Sequence, residues 1–146
     1  MTERLKKLYR SEVMKMAKLA DNSSIPIKYN YTLEAYNPMC GDKFTVYLNI
    51  ENEIIQSAGM QGFGCAISKA STYLLSQALS GETLREAQEI IKRFLEMTND
   101  KSDRKPEDVF ETDEFLAFAA AREFPERKTC ANMSWEESAK LLGEMN

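Results

Sequence analysis

One segment of this 146-residue chain, residues 43–50, alternates apolar and polar side chains at every step. Four apolar side chains share one of its faces: Phe44, Val46, Leu48 and Ile50. This pattern predicts a half-buried strand, because successive strand side chains point to opposite faces. A tight turn at Glu51-Asn52 and an apolar return over residues 53–60 predict a second strand beside it. The chain is therefore expected to build an antiparallel hairpin with one buried face.

Helical periodicity covers most of the remaining chain. Apolar residues that recur every three or four positions predict five helices, at residues 3–20, 66–79, 84–98, 113–122 and 130–142. Residues 27–36 are predicted to be extended, and the polar residues 99–110 are predicted to form a surface loop. A chain of this length supports one core of modest size, so a single domain over residues 1–146 is expected.

Charge and hydropathy argue against several classes of protein. The formal net charge is −4, and no basic stripe is interleaved with aromatic residues, which disfavours nucleic-acid binding. No apolar run approaches the roughly 20 residues that a membrane span needs. The basic residues near the N-terminus are not followed by the apolar core of a signal peptide. We therefore expect a cytoplasmic protein that binds neither nucleic acid nor membrane.

The chain contains three cysteines and no histidine. An odd number of cysteines cannot form a fully paired disulfide framework within one chain, and thiols in a reducing cytosol are more often buried, catalytic or metal-bound. The lack of histidine removes the usual general base, the usual activator of a catalytic cysteine and the commonest metal ligand. A reactive thiolate here must be activated by a metal, a helix N-terminus or a nearby cation.

Each cysteine lies in a setting that suits a metal ligand. Cys40 lies in a turn two residues before Asp42, and strand periodicity places these two side chains on the same side of an extended segment. Cys65 follows a glycine-rich stretch, at the same end of the predicted hairpin as Cys40. Cys130 is predicted to precede the last helix, where backbone amides stabilise a thiolate. Three thiolates and one carboxylate are enough for a four-coordinate metal site.

Other interpretations of these residues stay open at this point. The cysteines are far apart in sequence, unlike the closely spaced pairs of a zinc ribbon, so spacing alone is weak evidence for a metal. A lone cysteine in a soluble protein is most often a small buried hydrophobic residue. Asp42, in a Gly-Asp pair before a strand, is as typical of a turn as of a ligand.

Three segments taken together resemble a known family. Residues 37–42 (NPMCGD), 62–71 (GFGCAISKAS) and 124–130 (FPERKTC), followed by Trp135, are similar in order to the IscU/SufU/NifU N-terminal family of iron–sulfur cluster assembly proteins. The chain looks like the SufU branch, because residues 99–122 resemble the insertion of that branch. Thr129 also stands where the IscU branch typically has a histidine.

The resemblance implies both a fold and a site. The fold is α+β, a small antiparallel sheet of about three strands covered by helices. The site is a zinc centre held by Cys40, Asp42, Cys65 and Cys130. Cys40 is the implied persulfide acceptor, taking sulfur from a PLP-dependent cysteine desulfurase of the SufS type, and Arg127 matches an arginine near the site. The sulfur passes on to a downstream iron–sulfur assembly scaffold or to an apo-protein.

A bound thiolate is a weak nucleophile, so our hypothesis is that docking of the desulfurase supplies a replacement ligand and frees Cys40 to attack the enzyme persulfide. Whether such a protein is a sulfurtransferase enzyme or a non-enzymatic scaffold is left open. As a scaffold it would hold a transient [2Fe–2S] cluster on the same four residues, with Cys130 as the first sulfur acceptor and Asp42 keeping the cluster labile. A purely structural zinc module is a third alternative.

Overall fold

The computed structural model describes residues 2–145. The strands in this part of the chain are β1 (Tyr31–Asn37), β2 (Asp42–Glu51) and β3 (Ile54–Phe63). The helices are α1 (Glu3–Asp21), α2 (Ala66–Leu79), α3 (Leu84–Met97), α4 (Pro106–Val109), α5 (Asp113–Leu116) and α6 (Pro125–Glu144), with a 3-10 helix at Ala117–Glu123. The predicted α+β fold with a small antiparallel sheet is confirmed.

The sheet is antiparallel, with strand order β1-β2-β3 across the described residues. The predicted alternation in β2 is confirmed, since Phe44, Val46 and Leu48 are fully buried. The β2–β3 turn is centred on Asn52 and Glu53, whose φ angles of 55° and 62° are those that a two-residue hairpin requires. β1 begins at Tyr31, later than the extended segment predicted from residue 27.

Helices cover the buried face of the sheet. The indole of Trp135 in α6 stacks on the ring of Phe94 in α3, with centroids 3.9 Å apart. α2 and α6 are joined by buried hydrogen bonds. Ser71 Oγ accepts from the Trp135 indole at 2.9 Å, and the hydroxyls of Thr72 and Ser134 lie 2.6 Å apart. These contacts fix α6 against α2 and thereby bring the residues near the start of each helix together.

Two predictions about the second half of the chain are wrong. The last helix begins at Pro125, not at Cys130, because proline has a φ suited to the first helical position and needs no backbone partner there. Cys130 consequently lies in the second turn of α6. Residues 99–110 are not only a surface loop, because α4 lies within them and Val109 and Phe110 are buried. The Phe110 ring stacks on that of Phe115 at 4.1 Å, which ties this segment to the core.

No helix among residues 2–145 combines the length and the apolar character needed to cross a bilayer.

Candidate metal centre

Cys40 lies in the loop that joins β1 to β2. The strand register pairs Asn37 with Asp42, so the chain turns within the four residues between them. The Asn37 carbonyl accepts hydrogen bonds from the backbone N–H groups of Cys40 at 3.3 Å and of Gly41 at 2.8 Å. Gly41 has a φ of +72°, a left-handed conformation that favours glycine. The loop leaves the Cys40 side chain exposed at one end of the sheet.

Asp42 is a buried carboxylate at the centre of the site, with 1% of its surface exposed. Its Oδ1 accepts a hydrogen bond from the Cys65 backbone N–H at 2.9 Å. Its Oδ2 lies 3.9 Å from the Cys65 Sγ and 3.7 Å from the Cys130 Sγ. One carboxylate oxygen thus fixes the chain at Cys65, while the other faces two thiols.

Cys65 caps the N-terminus of α2. Its Sγ accepts from the Ser68 backbone N–H at 3.5 Å and lies 3.4 Å from the Ser68 hydroxyl. This is the position at which a serine or aspartate usually satisfies the unpaired amides at a helix start. The sulfur is therefore held by the helix while its side chain stays exposed.

Cys130 is the buried thiol of the three, with 6% of its surface exposed. The Asn37 side-chain amide lies 3.8 Å from its Sγ, at the outer limit for a hydrogen bond to sulfur. Burial first, and then the neighbouring Cys65, Asp42 and Cys40 groups, raise the pKa of Cys130 to about 12. In the metal-free chain this thiol is therefore protonated at neutral pH.

Three of the four predicted ligands come together as a group that could hold a metal ion. Suitable donor atoms of Cys40, Asp42 and Cys130 all lie within 4.8 Å of one another. Cys65 does not belong to this group of three, although its Sγ lies 3.9 Å from Asp42 Oδ2. Zinc–sulfur bonds of about 2.3 Å and zinc–oxygen bonds of about 2.0 Å place tetrahedral sulfur and oxygen donors about 3.5 Å apart, close to both sulfur–Oδ2 distances.

Tyr9 and Arg127 border this centre. The Arg127 guanidinium lies 5.2 Å from the centroid of the Tyr9 ring and 4.4 Å from that of Phe124. Burial raises the pKa of the Tyr9 hydroxyl, the Arg127 charge opposes this, and the Cys65 and Cys130 thiols add to it. Arg127 therefore packs on Tyr9 and Phe124, one helical turn before Cys130 in α6.

Comparison with known proteins places the chain in a family. A family model of the NifU-like N-terminal domain matches residues 8–131. The chain belongs to this family. Its SufU-like character is supported by the zinc-dependent sulfurtransferase SufU of Bacillus subtilis, to which it is 29% identical over 91% of this chain and 88% of that protein.

The chain is also similar to two proteins described as iron–sulfur cluster assembly scaffolds. The iron–sulfur cluster assembly scaffold protein IscU of Streptococcus pyogenes is 29% identical over 82% of this chain and 77% of that protein. A crystal structure of SufU from Fervidobacterium islandicum, described as a cluster assembly scaffold protein for the SUF system, superposes with a TM-score of 0.80. That match has 26% identity and covers 93% of this chain and 97% of the other.

The structure adds neighbours that the sequence did not single out. The Asn37 side-chain amide lies near the Cys130 sulfur, and the Ser68 hydroxyl lies near the Cys65 sulfur. Tyr9 is close enough to Cys65 and Cys130 for both groups to contribute to its raised pKa. An Asn-Pro pair before Cys40 is a signal for a turn, and the Asn37 Oδ1 does accept from the Met39 backbone N–H at 3.2 Å. Tyr9 gives no such signal, because its spacing in α1 is that of an ordinary buried face.

Replacement of Gly64 by alanine should impair metal binding in this family member. A Cβ at that position would lie 2.5 Å from Asp42 Oδ1, 2.8 Å from Ser68 Oγ and 2.9 Å from the Phe44 ring, so Asp42 must shift. We expect affinity for zinc to fall by about tenfold or more, the scale seen when groups that orient a ligand are lost. The Gly143→Ala variant is the matched control, because nothing lies within 4 Å of its added Cβ. Equal zinc affinities in a chelator competition would contradict the prediction.

The stability of the metal-free chain should fall in alkaline solution because of Cys130. Its pKa rises from an ordinary 9.0 to about 12 on folding, so the folded state binds the proton more tightly than the unfolded state does. The resulting stabilisation is fully present below about pH 9 and is lost as the pH rises towards about 12. Urea midpoints of the wild type should fall more steeply over this range than those of Cys130→Ala. If the urea midpoints of the two proteins fall in parallel as the pH rises, Cys130 is not the source of the alkaline destabilisation.

Proposed function

We propose that this protein accepts persulfide sulfur on Cys40 from a cysteine desulfurase and passes it on during iron–sulfur cluster assembly. The observation that carries the proposal is the exposure of Cys40 in a loop, because Cys130 is buried and the Cys65 sulfur, although exposed, accepts a hydrogen bond from the Ser68 backbone N–H. Cys40 is exposed in the β1–β2 loop, beside Met39, whose side chain is 91% exposed. Cys130 is buried, so a partner protein reaches it less readily.

The transfer is a thiol exchange without net oxidation. The Cys40 thiolate attacks the outer sulfur of the persulfide on the desulfurase, a new S–S bond forms on Cys40, and the S–S bond of the donor breaks. The desulfurase cysteine leaves as a thiolate, and Cys40 becomes a persulfide. The desulfurase partner is inferred from the family and is expected to be of the PLP-dependent SufS type.

We propose zinc as the resident metal, held by Cys40, Asp42, Cys65 and Cys130. When bound, zinc keeps its thiol ligands deprotonated and has no redox chemistry of its own. Asp42 begins β2, Cys65 caps α2 and Cys130 lies within α6, so regular structure anchors all three of these ligands. Cys40 lies in the β1–β2 loop instead, and this makes it the ligand best suited to leave the metal.

Residues 99–122 are proposed to be the insertion of the SufU branch within a single domain over residues 1–146. Their buried side chains pack on the core, for example through the contact of the Phe118 ring with that of Phe94 in α3 at 5.8 Å. We also propose a cytoplasmic location, because free thiols that carry sulfur need a reducing compartment.

A cluster scaffold is the second candidate, since three thiols and a carboxylate also suit a transient [2Fe–2S] cluster. Two measurements separate the candidates. Protein purified without added metal should contain one zinc per chain and should accelerate desulfurase turnover. Anaerobic reconstitution with iron and sulfide should give no cluster that transfers to an apo-protein. Efficient cluster transfer without acceleration of the desulfurase would favour the scaffold.

A further inference from the structure

A small cavity with a cationic wall lies beside the thiol site. It has a volume of about 310 Å³ and is lined by Lys6, Tyr9, Arg10, Ala120, Phe124 and Arg127. Three of these six side chains carry a positive charge, and none of them is acidic. The Lys6 Nζ lies 3.5 Å from the exposed carboxylate of Glu3, an interaction that water screens strongly.

Two of the cations have hydrogen-bonding capacity to spare. Within residues 2–145, the guanidinium groups of Arg10 and Arg127 have neither a hydrogen bond nor an ion pair. Arg127 is held over the rings of Tyr9 and Phe124, which fix its plane but use none of its N–H donors. A planar guanidinium with open donors is suited to a carboxylate, which it can bind through two parallel hydrogen bonds.

The charge of the surrounding surface favours an anion as well. α1 carries six basic residues and three acidic ones: Arg4, Lys6, Lys7, Arg10, Lys15 and Lys18 against Glu3, Glu12 and Asp21. The whole chain is acidic, with a net charge of −4. The positive charge is thus concentrated on the helix that lines the cavity, where it raises the local concentration of anions.

The cavity adjoins the reacting groups through Arg127 and α6. Arg127 lines the cavity and lies one helical turn before Cys130 in α6, so the two side chains share one face of that helix. Cys130 in turn has its donor atom within 4.8 Å of that of Cys40. An anion in the cavity is therefore placed next to the sulfur centre rather than at a remote surface.

We propose that this cavity holds the carboxylate of a small thiol while that thiol removes sulfur from Cys40. The inference rests on the proposed function, because it needs a persulfide on Cys40. The thiolate of the small molecule attacks the outer persulfide sulfur, forms a new S–S bond and releases Cys40 as a thiolate. The products are a small-molecule persulfide and the original protein, so no oxidant or reductant is consumed. The cavity volume, at the low end of small-molecule sites, suits such a ligand.

The test compares an anionic thiol, 3-mercaptopropionate, with a neutral one, 2-mercaptoethanol. Cys40 is first loaded with labelled sulfur by a desulfurase, and the loading is measured by mass spectrometry. The rate of sulfur release is then measured for each thiol, corrected for its thiolate fraction and nucleophilicity. In the Lys6→Gln/Arg10→Gln variant, the ratio of the anionic to the neutral rate should fall about threefold or more relative to wild type.

The matched control is the Lys7→Gln/Lys15→Gln variant. It removes the same charge from α1 at two exposed residues outside the cavity, and its rate ratio should stay at the wild-type value. Equal ratios in all three proteins, with Cys40 fully loaded, would overturn the role of the cavity and leave the proposed function intact. Failure to load Cys40 in the wild type would overturn the proposed function and this inference with it.

Discussion

The Cys40→Ala variant should lose the ability to accelerate a cysteine desulfurase, by about tenfold or more, while it keeps its fold. The reason is chemical, since alanine has no thiolate to attack the enzyme persulfide. The fold should stay intact because the Cys40 side chain is exposed in a loop. The hydrogen bond from the Cys40 backbone N–H to the Asn37 carbonyl does not depend on that side chain. Desulfurase turnover at fixed cysteine concentration measures the effect.

The neighbouring Met39→Ala variant is the matched control for Cys40. Met39 is 91% exposed in the same loop, so its replacement changes the shape of the loop surface without removing a thiol. It should retain most of the acceleration. If Cys40→Ala accelerates the desulfurase as well as the wild type does, Cys40 is not the acceptor. A loss that is equal in both variants would indicate that the loop only forms a docking surface.

The Asp42→Ala variant should lose metal binding and stability together. The carboxylate supplies the oxygen donor nearest to two thiols, so its removal should lower zinc affinity by about a hundredfold. The same change leaves the Cys65 backbone N–H without its acceptor, a cost of about 1–3 kcal/mol in the free energy of unfolding. A chelator competition and urea unfolding measure the two effects.

The Asp42→Asn variant separates the two roles of this carboxylate. An asparagine oxygen can still accept the hydrogen bond from Cys65, but the side chain no longer carries the negative charge that favours a metal cation. We therefore expect most of the stability of the metal-free protein to return while zinc affinity stays low. Wild-type zinc affinity in Asp42→Asn would mean that the three cysteines hold the metal without a charged oxygen ligand.

Local patterns in the sequence were sufficient for the strands and for the placement of two cysteines. The period of two in residues 43–50 determines which side chains of β2 are buried, and the turn before Ile54 brings β3 back. Together these features place Cys40 and Cys65 at the same end of the sheet. The order of the three cysteine segments identified the family, which the match over residues 8–131 confirms.

Tertiary packing decided what the sequence could not predict. Pro125 has the same local preferences whether it ends one helix or begins the next, and the structure uses it to begin α6. The burial of Cys130 and the contact of Tyr9 with Arg127 depend on how α1 and α6 pack, which no short-range pattern encodes. For the same reason Phe110 was predicted to lie in a loop, although its ring stacks in the core.

The central claim is that Cys40 carries the sulfur, and the location of that sulfur tests it most directly. The protein is incubated with a cysteine desulfurase and cysteine, its thiols and persulfides are alkylated, and its peptides are analysed by mass spectrometry. We predict one additional sulfur atom on the peptide that contains Cys40, and none on the peptides of Cys65 and Cys130. Sulfur found first on Cys130, with Cys40 unmodified, would contradict the account.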